Sequence, residues 1–195
     1  MHSYGVGLVE GSLTVEVRIL DERVREWGLP TYQSEMAAAV DLFACIETPI
    51  ILPPQAPAML ISSGIAVHIG DAGVTGLIVP RSGLGHKKGL VMGNLVGVLD
   101  ADYTGPLMIS AWNRGAPSSE PVEINPGDRI AQLLFVPVIR PLFRTVTEFS
   151  SSTDRGAGGF GSTGLKTKLV RRGKRHRENF EGLACIMELP NLNAD

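Results

Sequence analysis

The chain has 195 residues, 18 Lys and Arg against 20 Asp and Glu, and a hydrophobic fraction of 44%. That length predicts one domain, or one domain with a tail, and the apolar content suffices for a sizeable core. The net charge of −2 argues against a general affinity for nucleic acid or membrane surfaces. The two cysteines, Cys45 and Cys185, lie far apart, form no metal pattern and fit a reducing compartment. Residues 1–10 lack the basic region and long apolar run of a secretory signal, and no apolar run reaches membrane-spanning length. The chain therefore reads as soluble and cytoplasmic, with no membrane partner.

Short apolar, β-branched runs closed by turn residues recur along the chain. Residues 13–20 alternate, with Val15, Val17 and Ile19 on one face. Further runs cover 50–52, 58–62, 64–69, 75–80, 96–99, 107–113, 121–124, 130–138 and 144–148. Regular short strands with Gly and Pro punctuation predict an all-β sandwich or barrel. No long helix is expected before residue 164; a short helical turn is possible around 71–73. Composition then shifts. Residues 1–164 carry 11 basic and 16 acidic side chains, whereas 165–195 carry seven and four, with all seven cations inside 166–177. We read residues 1–150 as a β domain, 151–164 as a glycine-rich segment and 165–195 as a basic, disordered tail. That tail is the one place where nucleic acid would bind.

Five polar segments interrupt this pattern. The first, Ala37-Ala38-Ala39-Val40-Asp41-Leu42, sets one acid among small and apolar residues, either as a structural carboxylate or as a partner for a metal or a basic side chain. The second, Pro80-Arg81-Ser82-Gly83-Leu84-Gly85, places a guanidinium, a hydroxyl and glycines after a strand, which suits phosphate oxygens as well as an ordinary exposed turn. The third runs from Gly93 to Gly105. Asn94 offers both a donor and an acceptor, fit for a pyrimidine edge. Asp100 and Asp102 alternate along an extended chain and so face opposite ways. One can face a ligand while the other is held in a pair, with Arg81 as the candidate partner. Tyr103 can lie against a sugar. The fourth, Pro126-Gly127-Asp128-Arg129-Ile130-Ala131-Gln132-Leu133, feeds an apolar strand interrupted by Gln132. The fifth, Arg155 to Gly164, holds five glycines in ten residues, with one aromatic, Phe160. Such a stretch suits close backbone approach to phosphate, while Phe160 suits a flat base; a flexible linker is the plain alternative. The Gly-Lys-Ser/Thr ending of a P-loop is missing.

These five segments, in this order, resemble the five motifs of the trimeric deoxyuridine triphosphate nucleotidohydrolases, the dUTPases, of bacterial type. Pro80-Arg81-Ser82-Gly83, residues 97–105 and residues 155–164 are the most specific parts. Ala39 stands where the family usually has glycine, and the fifth motif normally lies near the chain's end. The resemblance implies a distorted β jelly roll, or β-clip, with a flexible C-terminal arm, in a homotrimer with shared sites. It implies hydrolysis of dUTP to dUMP and pyrophosphate with Mg2+, which supplies dUMP for thymidylate synthesis and limits uracil in DNA. Carried onto this sequence, Asp100 would be the general base, buried beside the water it deprotonates. Arg81, Ser82, Gly83 and Gln132 would bind phosphates, and Asn94 with the backbone of Val98 and Leu99 would read uracil. Tyr103 would pack on deoxyribose and Met108 would line the same pocket. Arg155, Gly161, Ser162 and Thr163 would hold the γ-phosphate, with Phe160 over the base as a mobile lid. No direct protein ligand to the metal is expected; Mg2+ would arrive on the phosphates, with Asp41 at most an outer-shell contact. The competing readings are a dCTP deaminase on the same fold and a non-catalytic nucleotide-binding module.

Overall fold

A computed structural model describes residues 13–153 and 155–159. A first compact unit ends at Phe143 and a second begins at Arg144. The described residues of the first unit form ten strands: β1 (Glu16–Ile19), β2 (Val40–Phe43), β3 (Ile50–Leu52), β4 (Met59–His68), β5 (Val74–Pro80), β6 (Leu90–Met92), β7 (Gly97–Leu99), β8 (Pro106–Asn113), β9 (Val122–Ile124) and β10 (Arg129–Pro137). All pairings are antiparallel. They form two four-stranded sheets, β1-β4-β8-β6 and β2-β10-β5-β7, and a two-stranded ribbon, β3-β9. The all-β expectation holds, and no helix among the described residues is long and apolar enough to cross a membrane.

Alternation explains the core. In β8, Leu107, Ile109, Ala111 and Asn113 point inward while the residues between them are exposed or half-buried. Leu42, Ile61, Ile65, Ile124 and Leu133 meet them from β2, β4, β9 and β10 in one apolar cluster. Burying each such side chain stabilises the fold by about 1.5–3 kcal/mol. Asn113 is a buried polar residue of β8. It donates from Nδ2 to the Leu52 carbonyl at 3.1 Å and accepts from the Gly115 N–H at 2.9 Å.

Several expectations change. The separate runs 58–62 and 64–69 are one strand, β4, whose pairing with β8 shifts register between Ser62 and Ala66. The alternation in β1 does not bury a face: Val17 is 43% exposed, because β1 is the outer strand of its sheet. Residues 144–148 form no strand. The turn at 71–73 is held by the Asp71 carboxylate, which accepts from the Gly73 N–H at 2.8 Å, and is not helical. Two short helical pieces were not anticipated, α1 (Arg23–Trp27) and a wide π-helical turn over Leu84–Lys88.

Candidate active site

Arg81 leaves the end of β5 and enters the turn that begins at Ser82. The π-helical turn closes at Gly89, whose φ of +76° is the left-handed geometry that glycine tolerates. Arg114, the residue after β8, braces it, donating from its backbone N–H to the Gly89 carbonyl and from Nη2 to the Gly85 carbonyl at 3.0 Å. Beside this turn lies a cleft of about 510 Å³, lined by Gln33, Asp41, Arg81, Ser82, Gly83, Leu84, Lys87, Lys88 and Gln132. Four of the expected phosphate-binding residues, Arg81, Ser82, Gly83 and Gln132, thus share one concavity. Ser82 and Gly83 are exposed, and nothing lies within 4 Å of where a Gly83 side chain would begin. Gln132 donates its amide N–H to the Pro80 carbonyl at 2.9 Å, which fixes the residue just before Arg81.

Arg81 does not pair with Asp102. Its Nε lies 2.8 Å from Asp41 Oδ1, and Arg129 Nη1 lies 3.2 Å from Asp41 Oδ2. Asp41 reaches this position because β2 pairs with β10, which sets it opposite Gln132. A sequence reading weighs residues 41, 81 and 102 by spacing alone; only the sheet order selects the partner. Its two oxygens engage two arginines. Among the described residues no group of three His, Cys, Asp or Glu side chains gathers to hold a metal.

The uracil-reading and catalytic candidates stand elsewhere on the chain. Asn94 sits on the turn between β6 and β7, where Leu95 adopts a left-handed φ of +65°. Gly93 is pressed closely there: a side chain on it would begin 2.4 Å from Ala58 Cβ. Leu99 is buried, Val98 is 68% exposed, and Met108 is exposed on β8 opposite Ser62. Tyr103 Oη donates to the Pro106 carbonyl at 3.0 Å, which holds the ring over Gly105. Asp100 follows β7 and is exposed, contrary to the expected burial. It projects where β7 has ended, and no element among the described residues covers it.

Asp100 and Arg81 lie at opposite ends of β5. Leu99 pairs with Gly76, and Thr75 Oγ1 donates to the Leu99 carbonyl at 2.7 Å. From Thr75 to Arg81 the extended chain covers roughly 20 Å, at about 3.3 Å per residue. Two side chains so far apart cannot meet on one phosphorus atom within a single chain.

In the second unit, Arg155 donates from Nε to the Gly158 carbonyl at 2.9 Å in a turn with Gly156 at φ +49°. Phe160, Gly161, Ser162 and Thr163, and the tail beyond them, lie outside the described residues. Sequence reasoning missed Gln33, Lys87, Lys88 and Arg129. The cations of His86-Lys87-Lys88, directly after the Arg81-Ser82-Gly83 turn, were the available signal.

A family model described as dUTPase matches residues 25–164. The chain belongs to the dUTPase family. A deoxyuridine 5'-triphosphate nucleotidohydrolase of Coxiella burnetii (strain Dugway 5J108-111) is 51% identical over 152 residues, covering 77% of this chain and 97% of that protein. One from Shewanella pealeana is 52% identical over 153 residues, covering 78% and 97%. Among solved structures, a Staphylococcus bacteriophage 80alpha dUTPase with dUpNHpp superposes with a TM-score of 0.68 at 29% identity, covering 79% of this chain and all of its own. A dUTPase from phage phi11 of S. aureus, reported with a structural Mg(II) ion, gives 0.61 at 29% identity, covering 71% and 99%. The fold is accordingly the jelly roll of the dUTPases, and the chain is a dUTP diphosphatase, a hydrolase of dUTP.

Proposed function

We propose that this dUTPase works as a homotrimer, with each site assembled from the Asp100 region of one subunit and the Arg81 cleft of another. The observation that carries this is the placement of Asp100 and Arg81 at opposite ends of β5. A closed three-fold ring brings such distant surfaces together in three equivalent copies. It would also cover Asp100, which is exposed among the described residues.

In the assembled site, Asp100 accepts a proton from a water as that water's oxygen bonds to the α-phosphorus. The bond from the α-phosphorus to the bridging oxygen breaks, and pyrophosphate leaves with the electron pair, giving dUMP. General-base help of this kind is worth about 10²–10⁴-fold. Arg81, Ser82 and Gly83 hold phosphate oxygens, while the Gln132 amide holds the Arg81 turn in place and faces the same cleft. Asn94 and the backbone of Val98 and Leu99 pair with the uracil edge. Tyr103, fixed through its hydroxyl, closes the sugar side, and Met108 lines the pocket. A cytosine edge would leave buried polar groups unpaired, at about 1–3 kcal/mol each. Arg155 with residues 160–163 closes over the triphosphate. Mg2+ would arrive on the substrate as Mg·dUTP and would neutralise charge on the phosphates that Arg81, Ser82 and Gly83 hold. The product dUMP feeds thymidylate synthesis, and removal of dUTP in the cytoplasm keeps uracil out of DNA.

Pyrophosphate release measured with dUTP, dCTP, dTTP and UTP, with and without Mg2+, tests this reading. Turnover should be confined to dUTP and should fall sharply on chelation of the metal. Asp100→Asn should bind dUTP yet turn over at least about a hundredfold more slowly. Ammonia release from dCTP, or near-normal turnover by Asp100→Asn, would overturn it.

A further inference from the structure

Arg129 adjoins the phosphate cleft through Asp41, which lines it, and no motif assignment above gives Arg129 a role. Its position depends on an irregularity in β10. Arg129 pairs with Phe43, Ala131 with Leu42 and Gln132 with Asp41, so the ladder carries one extra residue between Arg129 and Ala131. In a regular strand, residues three apart face opposite sides. The bulge cancels that offset. Ile130 and Ala131 are both buried, and Arg129 and Gln132 emerge together on the face of Asp41.

There Arg129 restrains Arg81 twice. Its side chain occupies Asp41 Oδ2 at 3.2 Å, which leaves Oδ1 to receive the Nε edge of Arg81 at 2.8 Å. Its backbone carbonyl accepts from Arg81 Nη1 at 3.1 Å. Arg81 Nη2 makes no hydrogen bond among the described residues, and Arg81 lines the open cleft. Asp41 is only 11% exposed, so an unpaired oxygen there would be costly and would draw in the nearest cation. A carboxylate prefers a two-pronged contact with a guanidinium when both its oxygens are free. Without the Arg129 side chain, Asp41 would grip Arg81 by both prongs and turn its remaining donors away from the cleft.

The geometry points to Arg129 as a positioning residue, acting through Asp41 to keep the Arg81 guanidinium aimed at substrate phosphate. The inference rests on Arg81 being a phosphate-binding residue, as proposed above. A double-mutant cycle on kcat/KM for dUTP tests it. Arg129→Ala should lower kcat/KM about tenfold, mainly through KM, and Arg129→Lys should recover most of the loss because an ammonium still occupies Asp41 Oδ2. In an Arg81→Ala background the same Arg129→Ala change should have no further effect. A residue that merely supports the fold, or that touches phosphate itself, would lower activity equally in both backgrounds, and that result would overturn the inference. So would Arg129→Lys being as poor as Arg129→Ala. If Arg129→Ala does not fold, Arg129→Gln runs the same cycle. If Arg81→Ala alone leaves kcat/KM unchanged, the phosphate role of Arg81 fails first and takes this inference with it.

Discussion

Asp21 and Arg23 form a clamp two residues long at the start of α1. Arg23 donates to Asp21 from its backbone N–H, from Nε and from Nη2, the last at 2.7 Å, and from Nη1 to the Ile46 carbonyl. Its guanidinium also lies 5.7 Å from the Trp27 ring centre. These hydrogen bonds hold the Asp21 carboxyl well below the usual carboxylate range. A carboxyl with a depressed folded-state pKa stabilises fully above its unfolded pKa of about 3.9 and loses that contribution as pH falls towards the folded value. Asp21→Asn should therefore lower the urea midpoint between pH 5 and 7, and the gap to the unaltered protein should shrink below about pH 4. A gap that persists unchanged to pH 2 would show that the charge of Asp21 is not what stabilises the turn. The adjoining Cys45 thiol is pushed up by burial, which makes it a slow nucleophile. Single residues were legible where a side chain's chemistry is rare in its surroundings, as for Gln132 in an apolar strand. Arg129 was not, because an arginine after a Pro-Gly-Asp turn looks like any solvated cation.

At the level of elements, the unanticipated break in β4 does structural work. Gly64 has a φ of +76°, and its carbonyl accepts from the N–H groups of both Leu20 and Asp21, at 2.9 and 3.1 Å. A side chain there would begin 2.5 Å from Val24 Cγ2 and 2.8 Å from Cys45 Sγ. Gly64→Ala should cost about 2–4 kcal/mol, from left-handed strain and overpacking together. Chemical denaturation measures it, and a loss under about 1 kcal/mol would mean that α1 gives way easily. Eight of the ten strands could be read from β-branched runs and turn residues. β2 escaped because Asp41 breaks its four-residue apolar run, and β6 because its three residues run on from a turn. The π-helical turn escaped because nothing local demands it; Arg114, just beyond the distant strand β8, holds it closed.

For the whole molecule, the separation of Asp100 and Arg81 makes a quantitative prediction. Arg81→Ala and Asp100→Asn proteins should each be nearly inactive. Unfolded together in equal amounts and refolded, they should regain about a quarter of the unaltered activity, since a site works only where an intact Asp100 meets an intact Arg81 from the neighbour in a closed ring. Light scattering should report three chains per particle. If mixing restores nothing while each variant still assembles, the two groups do not meet across a subunit boundary.

The amino-acid sequence alone determined the all-β class, the order of the five polar segments and their chemistry. Strand periodicity, turn residues and side-chain type are local properties that survive in any context. The tertiary structure decided which of these groups meet. It gave Asp41, and not Asp102, to Arg81, set Arg129 on the same Asp41, brought Lys87 to the cleft that Asp41 lines, and kept Asp100 a strand's length away. Those outcomes follow from strand pairing and one β-bulge, which join residues tens of positions apart.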